Sequence, residues 1–219
     1  MSPFAFIFDL DGTLFDSEIQ IFDAINKTRI DAGFAPLTQQ VVASLIGLPA
    51  RELLSDLNIS EREIAQMVED FRTELGKLIQ IFNPMFKDSE DFIRRVKSLN
   101  YKVGVATSKP TYLAEQVIKN SPINELIDHI QGTDGFLPKP EPKVIQMCLS
   151  KLSCESGVMF GDRTEDIEAA NRAGISSVGL AQSKHSASEL MLAGANLVFS
   201  SFSEAFSEFD KIIDWLKND

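Results

Sequence analysis

Two aspartates lie two residues apart near the start of the chain, directly after an apolar run. Asp9 and Asp11 fall within FDLDGTLFDSE at 8–18, and the preceding AFIF at 5–8 is typical of a buried strand. Side chains two residues apart on a strand point the same way, so both carboxylates face one site. Because like charges repel, such a pair requires a bound cation or a raised pKa on one carboxyl group.

The turn that follows these aspartates also carries polar groups. Gly12 lets the backbone turn sharply, and Thr13 offers a hydroxyl and an amide close to the carboxylates. The carboxyl end of a strand in an open α/β sheet is where ligands usually bind. A DxDG segment by itself is usually only a surface turn after a strand. The functional interpretation therefore depends on three later segments.

The first of these segments has two hydroxyl side chains at the end of an apolar run. Thr107 and Ser108 belong to VGVATSKP and come just before a predicted helix N-terminus. Hydroxyls and free amides at that position can bind a phosphate group. Serine and threonine are also ordinary helix N-caps, so this segment alone is a weak indication.

The second segment, LPKPEPK, has a lysine between two prolines. Pro138 and Pro140 stiffen the backbone around Lys139, which suits a lysine directed at a fixed anion. By itself, a lysine in such a loop would more often be exposed to solvent.

The third segment, VMFGDRTED, places two more acids after an apolar run. Asp162 follows Gly161, and a helix that begins near Thr164 would place Asp166 in its first turn, facing Asp162. Converging carboxylates are the oxygen ligands that Mg²⁺ prefers, and without a partner they would be unfavourable to bury. A capping role explains each acid separately, but not four segments that all lie at predicted strand ends or in the loops beyond them.

The elements that must position these segments alternate along the chain. Short apolar runs without polar alternation are typical of parallel strands buried on both faces. Such runs occur at 5–8, 103–107, 158–160 and 177–181, and amphipathic helical patterns at 89–100, 110–120, 142–152 and 165–174. The apolar LID before His129 is also interpreted as a strand. The alternation predicts an α/β fold with a doubly wound parallel sheet.

One block of the chain breaks this alternation. Between the first two strands the patterns are helical, at 17–34 and 60–79 with shorter pieces at 38–47 and 50–57. A crossover needs only about a dozen residues, so this block is much too long to be one. We expect an inserted α-helical cap subdomain at 16–82 and a core domain formed by 1–15 and 83–219. Asn83-Pro84 marks the return to the core.

Composition limits the partners and the compartment. The 219 residues contain 21 Lys+Arg and 32 Asp+Glu, and the resulting net charge of −11 argues against binding nucleic acid or an anionic membrane. Cys148 and Cys154 are too few for a disulfide framework and suit a reducing compartment. We find no signal peptide and no run of 18 apolar residues, and we expect a cytoplasmic protein, monomeric or homodimeric.

Taken together and in order, these motifs resemble those of the haloacid dehalogenase superfamily of phosphotransferases. Its four motif positions are matched by Asp9-Leu10-Asp11-Gly12-Thr13, Thr107-Ser108-Lys109, Lys139, and Gly161-Asp162 with Asp166. The chain is most similar to the branch that resembles phosphoglycolate phosphatases. That similarity rests on DSE after the first motif, on Gly47 and Arg51 in the cap, and on SELMLAGANLVF near the end.

The resemblance implies a Mg²⁺-dependent phosphatase for a small phosphorylated metabolite such as phosphoglycolate, a sugar phosphate or a nucleoside monophosphate. Asp9 would attack phosphorus and form an aspartyl-phosphate, and Asp11 would act as general acid and base. Asp9, the carbonyl oxygen of Asp11 and Asp162 would hold Mg²⁺, with Asp166 as a ligand or a partner of the ligands. The residues expected to bind substrate are Gly12, Thr13, Thr107, Ser108, Lys139 and Arg51, and Lys139 also counts as catalytic.

Several alternatives remain within this resemblance. Dehalogenases of the superfamily lack an acid/base aspartate at the position of Asp11, which favours phosphoryl chemistry. Sugar-phosphate mutases tend to have a cap histidine shortly after the DSE segment, where this chain has Gln20 and Ile21. His129 and His185 lie too far along the chain to be obvious substitutes. A non-catalytic binding or regulatory relative would not need the second carboxylate.

Two arginines have open assignments. Arg51 could contact a second anionic group of the substrate, or it could be a surface arginine paired with a nearby acid. Both interpretations are equally supported by the sequence. Arg163, at the predicted helix start, could be a pocket residue or an exposed residue, and we expect an exposed side chain.

Overall fold

The computed structural model of the chain describes residues 4–54, 58–81 and 83–218. The end of the predicted short helical piece at 50–57 and the predicted boundary residue Phe82 lie outside these ranges. The strands are β1 Phe4–Phe8, β2 Lys102–Ala106, β3 His129–Gln131, β4 Ser156–Gly161, β5 Ser176–Leu180 and β6 Leu197–Phe199. They form one parallel sheet in the order β3-β2-β1-β4-β5-β6. The predicted doubly wound α/β fold is confirmed.

The carboxyl ends of the three central strands are aligned. β1 lies between β2 and β4, and Phe8 is opposite Val105 of β2 and Phe160 of β4. The chain leaves β1 for β2 and β3 on one side, and it then returns to β4 on the other side. Ligands bind beyond the carboxyl ends of strands at such a switch point.

Helices cover both faces of this sheet. The helices of the described residues are α1 Glu18–Asp31, α2 Gln39–Leu45, α3 Glu61–Ile79, α4 Ser89–Ser98, α5 Thr111–Lys119, α6 Lys143–Leu152, α7 Thr164–Ala173, α8 Ala187–Leu192, α9 Phe202–Ser207 and α10 Phe209–Asn218. Phe6 and Phe8 of β1 pack in one cluster with α4, α5, α9 and α10, whereas Ala5 and Ile7 pack in another with α6 and α7. Among the described helices, none is both long and apolar enough to cross a membrane.

The two edge strands of the sheet, β3 and β6, differ from what the sequence predicts. The strand predicted at 126–128 exists but is shifted, because a 3₁₀ turn occupies Asn124–Leu126 and β3 begins at His129. Pairing with β2 decides this register, since His129 lies opposite Gly104. β6 has only three residues at the sheet edge and was not predicted. Such short edge strands carry too little pattern to be recognised.

The three helices between β1 and α4 occupy the predicted cap region. α1 packs against α3, which begins with Ser60 and Glu63 in a capping box. The two chain segments that connect these helices to the core run antiparallel beside each other. The Asp16 amide donates to the Pro84 carbonyl at 2.9 Å, and Phe86 donates to Leu14 at 3.0 Å. The division at 16–82 stays a prediction, and this pairing lies at its two expected boundaries.

Candidate active site

Lys139 joins two aspartates at the carboxyl ends of the central strands. Its Nζ lies 2.5 Å from Oδ1 of Asp9 and 2.5 Å from Oδ1 of Asp166, and it donates to the Ala106 carbonyl at 3.1 Å. All three side chains are buried. Burial alone would lower the pKa of Lys139, but the carboxylates of Asp166 and Asp9 raise it above its ordinary value. The predicted lysine therefore lies at the centre of the predicted acids.

Asp162 lies beyond the end of β4 and packs against the first loop. The hydroxyl of Thr13 donates to its Oδ1 at 2.7 Å, and the hydroxyl of Ser183 donates to its Oδ2. Gly12 has a φ of +87°, and a Cβ at this position would lie 2.6 Å from Asp162 Oδ2. Glycine is therefore required here both by the backbone conformation and by the close approach of the carboxylate. Ser183 was not identified from the sequence, because it follows β5 without a recognisable motif.

Three buried carboxyl groups fit a divalent cation. One oxygen from each of Asp9, Asp162 and Asp166 lies within 4.8 Å of the other two. Burial, opposed by Lys139 and reinforced by Asp166 and Asp162, raises the pKa of Asp9 to about 8. Burial and the charge of Asp166 raise the pKa of Asp162 to about 6. Because these oxygens are hard ligands with excess negative charge, the residues present suit Mg²⁺.

Asp11 has a different set of neighbours from the other acids. Its Oδ2 lies 3.0 Å from Nζ of Lys109, and both side chains are buried. Its Oδ1 is buried and has no hydrogen-bond partner within the described residues. The sequence included Lys109 in a motif without giving it a function. The structure shows that it fixes one oxygen of Asp11 and leaves the other for a ligand.

Thr107 and Ser108 lie just beyond β2, beside Lys109. The Thr107 hydroxyl accepts the Lys109 amide at 3.2 Å, which orders the turn and leaves the hydroxyl proton for another acceptor. Ser108 is half-buried, and the helix that follows begins at Thr111. The two hydroxyls thus lie at the end of the strand, next to Asp11.

A cavity of about 240 Å³ lies between the core and the cap. Asp11, Thr107, Ser108 and Lys109 line it from the core, and Arg51 lines it from the cap. Arg51 also pairs with Glu61, and its side chain is 54% exposed. Both interpretations of Arg51 from the sequence therefore have support in the structure.

Arg163 contacts the cap, and the expectation that it is exposed is wrong. The residue is only 4% exposed, and its guanidinium donates to the Ile46 carbonyl and pairs with Glu165 at 2.9 Å. Gly47, with a φ of +83°, packs so closely that a Cβ would lie 2.5 Å from Arg163 Cδ. Nζ of Lys184 donates to the Ser44 carbonyl at 2.6 Å. Two positively charged side chains from outside the cap, Arg163 and Lys184, thus donate hydrogen bonds to backbone carbonyls at the end of α2.

Neither histidine of the chain lines this cavity. His129 begins β3, and His185 lies in the loop after β5. Ile21, in the part of the chain where related mutases tend to have a histidine, lines the cavity wall.

A family model described as haloacid dehalogenase-like hydrolase matches residues 6–180. This range runs from β1 to the end of β5. It includes every predicted site residue.

Known proteins similar to the chain include phosphatases. The phosphoglycolate phosphatase of Colwellia psychrerythraea is 27% identical over 210 residues, which cover 90% of this chain and 93% of that protein. A phosphorylated carbohydrates phosphatase of Thermotoga maritima is 29% identical over 199 residues, covering 87% and 91%. The crystal structure of a predicted phosphatase from Clostridium acetobutylicum superposes with a TM-score of 0.86, covering 96% of this chain and 100% of that one. At 24% identity, that similarity shows the fold alone.

Proposed function

The chain belongs to the haloacid dehalogenase-like hydrolase family, and we propose that it is a Mg²⁺-dependent phosphatase acting through an aspartyl-phosphate. The observation that carries this proposal is the buried Lys139 ammonium, 2.5 Å from both Asp9 and Asp166 at the strand ends. Transfer of a phosphoryl group develops negative charge, which a fixed cation stabilises where water is excluded. The curated relatives named as phosphatases support this reaction type.

Asp9 is the nucleophile in this proposal. Lys139 fixes the orientation of its carboxyl group through the contact to Oδ1. Attack on phosphorus forms the aspartyl-phosphate and releases the alcohol, and water then hydrolyses the acyl phosphate.

Asp11 is the general acid and then the general base. Lys109 holds its Oδ2, while Oδ1 has no partner within the described residues and Asp11 lines the cavity. The carboxyl group can therefore protonate the departing alcohol and afterwards accept a proton from the hydrolytic water. The hydroxyls of Thr107 and Ser108, next to Asp11, bind phosphoryl oxygens.

Asp9, Asp162 and the carbonyl oxygen of Asp11 would hold the cation, with Asp166 as a ligand or a partner of the ligands. When bound, Mg²⁺ supplies electrostatic stabilisation of the phosphoryl oxygens. Thr13 orients Asp162 for this purpose through its 2.7 Å hydrogen bond. Gly12 provides the space that this contact needs.

The cap closes over the substrate and excludes bulk water. Arg163 and Lys184 bind the cap carbonyls of Ile46 and Ser44, so the closed position is stabilised from the core. Lids that exclude water prevent side reactions and strengthen electrostatic interactions in the site. A phosphorylated carbohydrate and phosphoglycolate, which are acted on by relatives, define the starting set of substrates along with nucleoside monophosphates.

The proposal is tested by phosphate release from a panel of phosphorylated metabolites, with Mg²⁺ and with EDTA. We expect release that requires Mg²⁺ and falls by more than about 1,000-fold in Asp9→Asn, because removal of a covalent nucleophile leaves only binding effects. Asp16→Asn, at the cap connection, is the matched control. No release from any member, or full activity of Asp9→Asn, would contradict the mechanism.

A sugar-phosphate mutase and a non-catalytic relative are the alternatives to this proposal. Neither histidine lines the cavity, which disfavours the mutase, and the intact pair Asp9 and Asp11 disfavours a binding module. Incubation with a hexose 1-phosphate distinguishes the enzymes, because a mutase yields the 6-phosphate and a phosphatase yields free hexose. A cytoplasmic location and a monomeric or homodimeric state stay predictions.

A further inference from the structure

The cap side of the cavity is almost entirely apolar. Its wall there includes Ile21, Leu48, Leu53, Val68, Phe71 and Leu75. From the core, Leu113, Phe136 and Pro138 extend the same apolar surface. Polar side chains are confined to the end where Asp11 and the Thr107-Ser108-Lys109 segment lie, to Thr133 beside that segment, and to two arginines of the cap.

The separation of polar and apolar side chains in the cavity indicates how a substrate would be oriented. The phosphoryl group belongs at the polar end, beside Asp11, and the departing alcohol extends into the apolar part. At about 240 Å³ the cavity far exceeds the roughly 10–15 Å³ that one water needs. The single CH₂ of phosphoglycolate would contact little of this apolar wall. The hydroxyl groups of a sugar phosphate would lie against apolar side chains that cannot form hydrogen bonds with them.

Arg72 adds one polar group to the apolar wall. It projects from α3, where its Nη1 pairs with Glu69 at 2.5 Å. Its Nε is buried and has no hydrogen-bond partner within the described residues. Leaving a buried donor without a partner is unfavourable, and Arg72 lines the cavity, so a ligand acceptor that pairs with its guanidinium would be favoured. Arg51 also pairs with an acid, Glu61, but its side chain is 54% exposed, against 31% for Arg72.

We propose that the substrate is a phosphomonoester whose alcohol has an apolar body and a distal oxygen acceptor, such as a carboxylate, that Arg72 binds. Arg72 is then a specificity-determining residue. The inference rests on the proposed phosphatase function. In the reaction, Asp9 bonds to phosphorus as the bond from phosphorus to the alcohol oxygen breaks, and the alcohol takes a proton from Asp11. Water then gives a proton to Asp11, and its oxygen replaces Asp9 on phosphorus, which releases phosphate.

Three primary alkyl phosphates test this inference, because their leaving groups have similar reactivity. Ethyl phosphate is the short reference, hexyl phosphate adds an apolar body, and 6-phosphonooxyhexanoate adds a distal carboxylate. Each buried methylene favours binding about fourfold, so four of them predict a kcat/KM about 250-fold higher for hexyl than for ethyl phosphate. We expect the carboxylate to add about tenfold more through a charge-assisted hydrogen bond.

Arg72→Met removes the donor and keeps the apolar length of the side chain. We expect it to abolish the advantage of the carboxylate and to leave the ratio of hexyl to ethyl phosphate unchanged. Arg62→Met, at an exposed position of the same helix outside the cavity wall, is the control. Arg51→Met tests the competing possibility that Arg51, and not Arg72, binds the distal carboxylate. Each selectivity is the ratio of two kcat/KM values measured on one preparation. A fraction of unfolded protein lowers both values equally and does not change their ratio.

The possible outcomes distinguish a failure of the phosphatase function from a failure of the proposed substrate class. If none of the three esters nor any metabolite of the panel is hydrolysed, the phosphatase function itself fails. If hydrolysis occurs but ethyl phosphate or phosphoglycolate equals hexyl phosphate, the apolar body is overturned while the function stands. If the carboxylate advantage is absent, or is lost in Arg51→Met and kept in Arg72→Met, the role of Arg72 is overturned.

Discussion

At the residue scale, the site separates its acids into two groups with different partners. Asp9 and Asp166 share Lys139, whereas Asp11 pairs with Lys109. In the proposed mechanism, Lys139 thus contacts the nucleophile and a carboxylate of the cation site, and Lys109 contacts the general acid and base. Burial makes these pairings important, because an unpaired charge in such a place would be strongly unfavourable.

Lys109→Met is expected to weaken the acid/base function. Without Lys109, one oxygen of Asp11 loses its partner and the carboxyl group is no longer held at one orientation. General acid catalysis contributes about 100- to 10,000-fold, so we expect kcat to fall at least about tenfold for an alkyl phosphate. An aryl phosphate, whose leaving group needs no proton, would be affected much less. Steady-state kinetics measure the loss of kcat for the alkyl phosphate relative to the loss for the aryl phosphate, and Lys119→Met, at an exposed position, is the control. Equal losses for both esters would mean that Lys109 is only structural.

Gly12→Ala is expected to displace Asp162. A Cβ at Gly12 would lie 2.6 Å from its Oδ2, and the positive φ adds strain. Gly33→Ala is a matched control, because Gly33 has a φ of +83° and a Cβ there would meet no atom of the described residues within 4 Å. We expect about 1–2 kcal/mol of destabilisation in the control from backbone strain alone, and a larger loss plus weaker Mg²⁺ binding in Gly12→Ala. Chemical denaturation and metal titration measure the two effects; equal behaviour of the variants would contradict the clash.

At the element scale, the contact between the end of α2 and the loops after β4 and β5 links the cap to the site. Arg163 follows Asp162 directly in sequence, and Lys184 follows Ser183, which donates to Asp162. The two residues that bind the cap are therefore neighbours of the residues around the cation site. If the site binds a cation as proposed, its occupation would be connected with closure of the cap through these two loops.

Arg163→Met is expected to loosen the cap. It leaves the Ile46 carbonyl and Glu165 without the guanidinium, which costs about 1–3 kcal/mol of the closed state. We expect faster hydrogen exchange in α2 and a kcat/KM about tenfold lower. Arg172→Met, exposed at the other end of α7 and paired with acids, is the control. Unchanged exchange in α2 would mean that Arg163 does not hold the cap.

At the scale of the whole molecule, the net charge of −11 does not describe the site. Surface charges act through screened water, whereas the buried acids act on one another at short distance. The raised pKa values of Asp9 and Asp162 mean that the folded, metal-free protein binds more protons than the unfolded chain. The contribution of these two carboxyl groups to the stability therefore falls as the pH rises from about 4 through 6 and 8.

Mg²⁺ is expected to reverse this dependence. The ion competes with protons for the same carboxylates, so the increase in Tm that it causes should be larger at pH 8 than at pH 5. The measurement is thermal unfolding with Mg²⁺ and with KCl at equal ionic strength, because screening of the net charge alone would stabilise the protein equally with both salts. Asp162→Asn should lose most of the specific increase. An equal increase at both pH values would contradict a carboxylate site.

The sequence by itself determined the α/β sheet and the residues at its strand ends. Asp9, Thr107 and Asp162 each follow a buried apolar strand, and in a parallel sheet those ends must meet at one edge. The short-range signals were sufficient because strand periodicity and motif spacing are local properties. The edge strand at His129 was misplaced by a few residues, since its register depends on pairing with β2.

Only the tertiary structure decided which groups from distant parts of the chain touch. The burial of Arg163 against Ile46 and the pairing of Lys109 with Asp11 depend on how the elements pack together, and no spacing in the sequence encodes that placement. The same holds for the apolar cavity, whose wall comes from the cap helices and from loops of the core. Packing between elements is set by the fit of whole surfaces. The motifs therefore indicate the reaction class, whereas the shape of the cavity, on which the proposed substrate depends, follows only from the packing of the cap against the core.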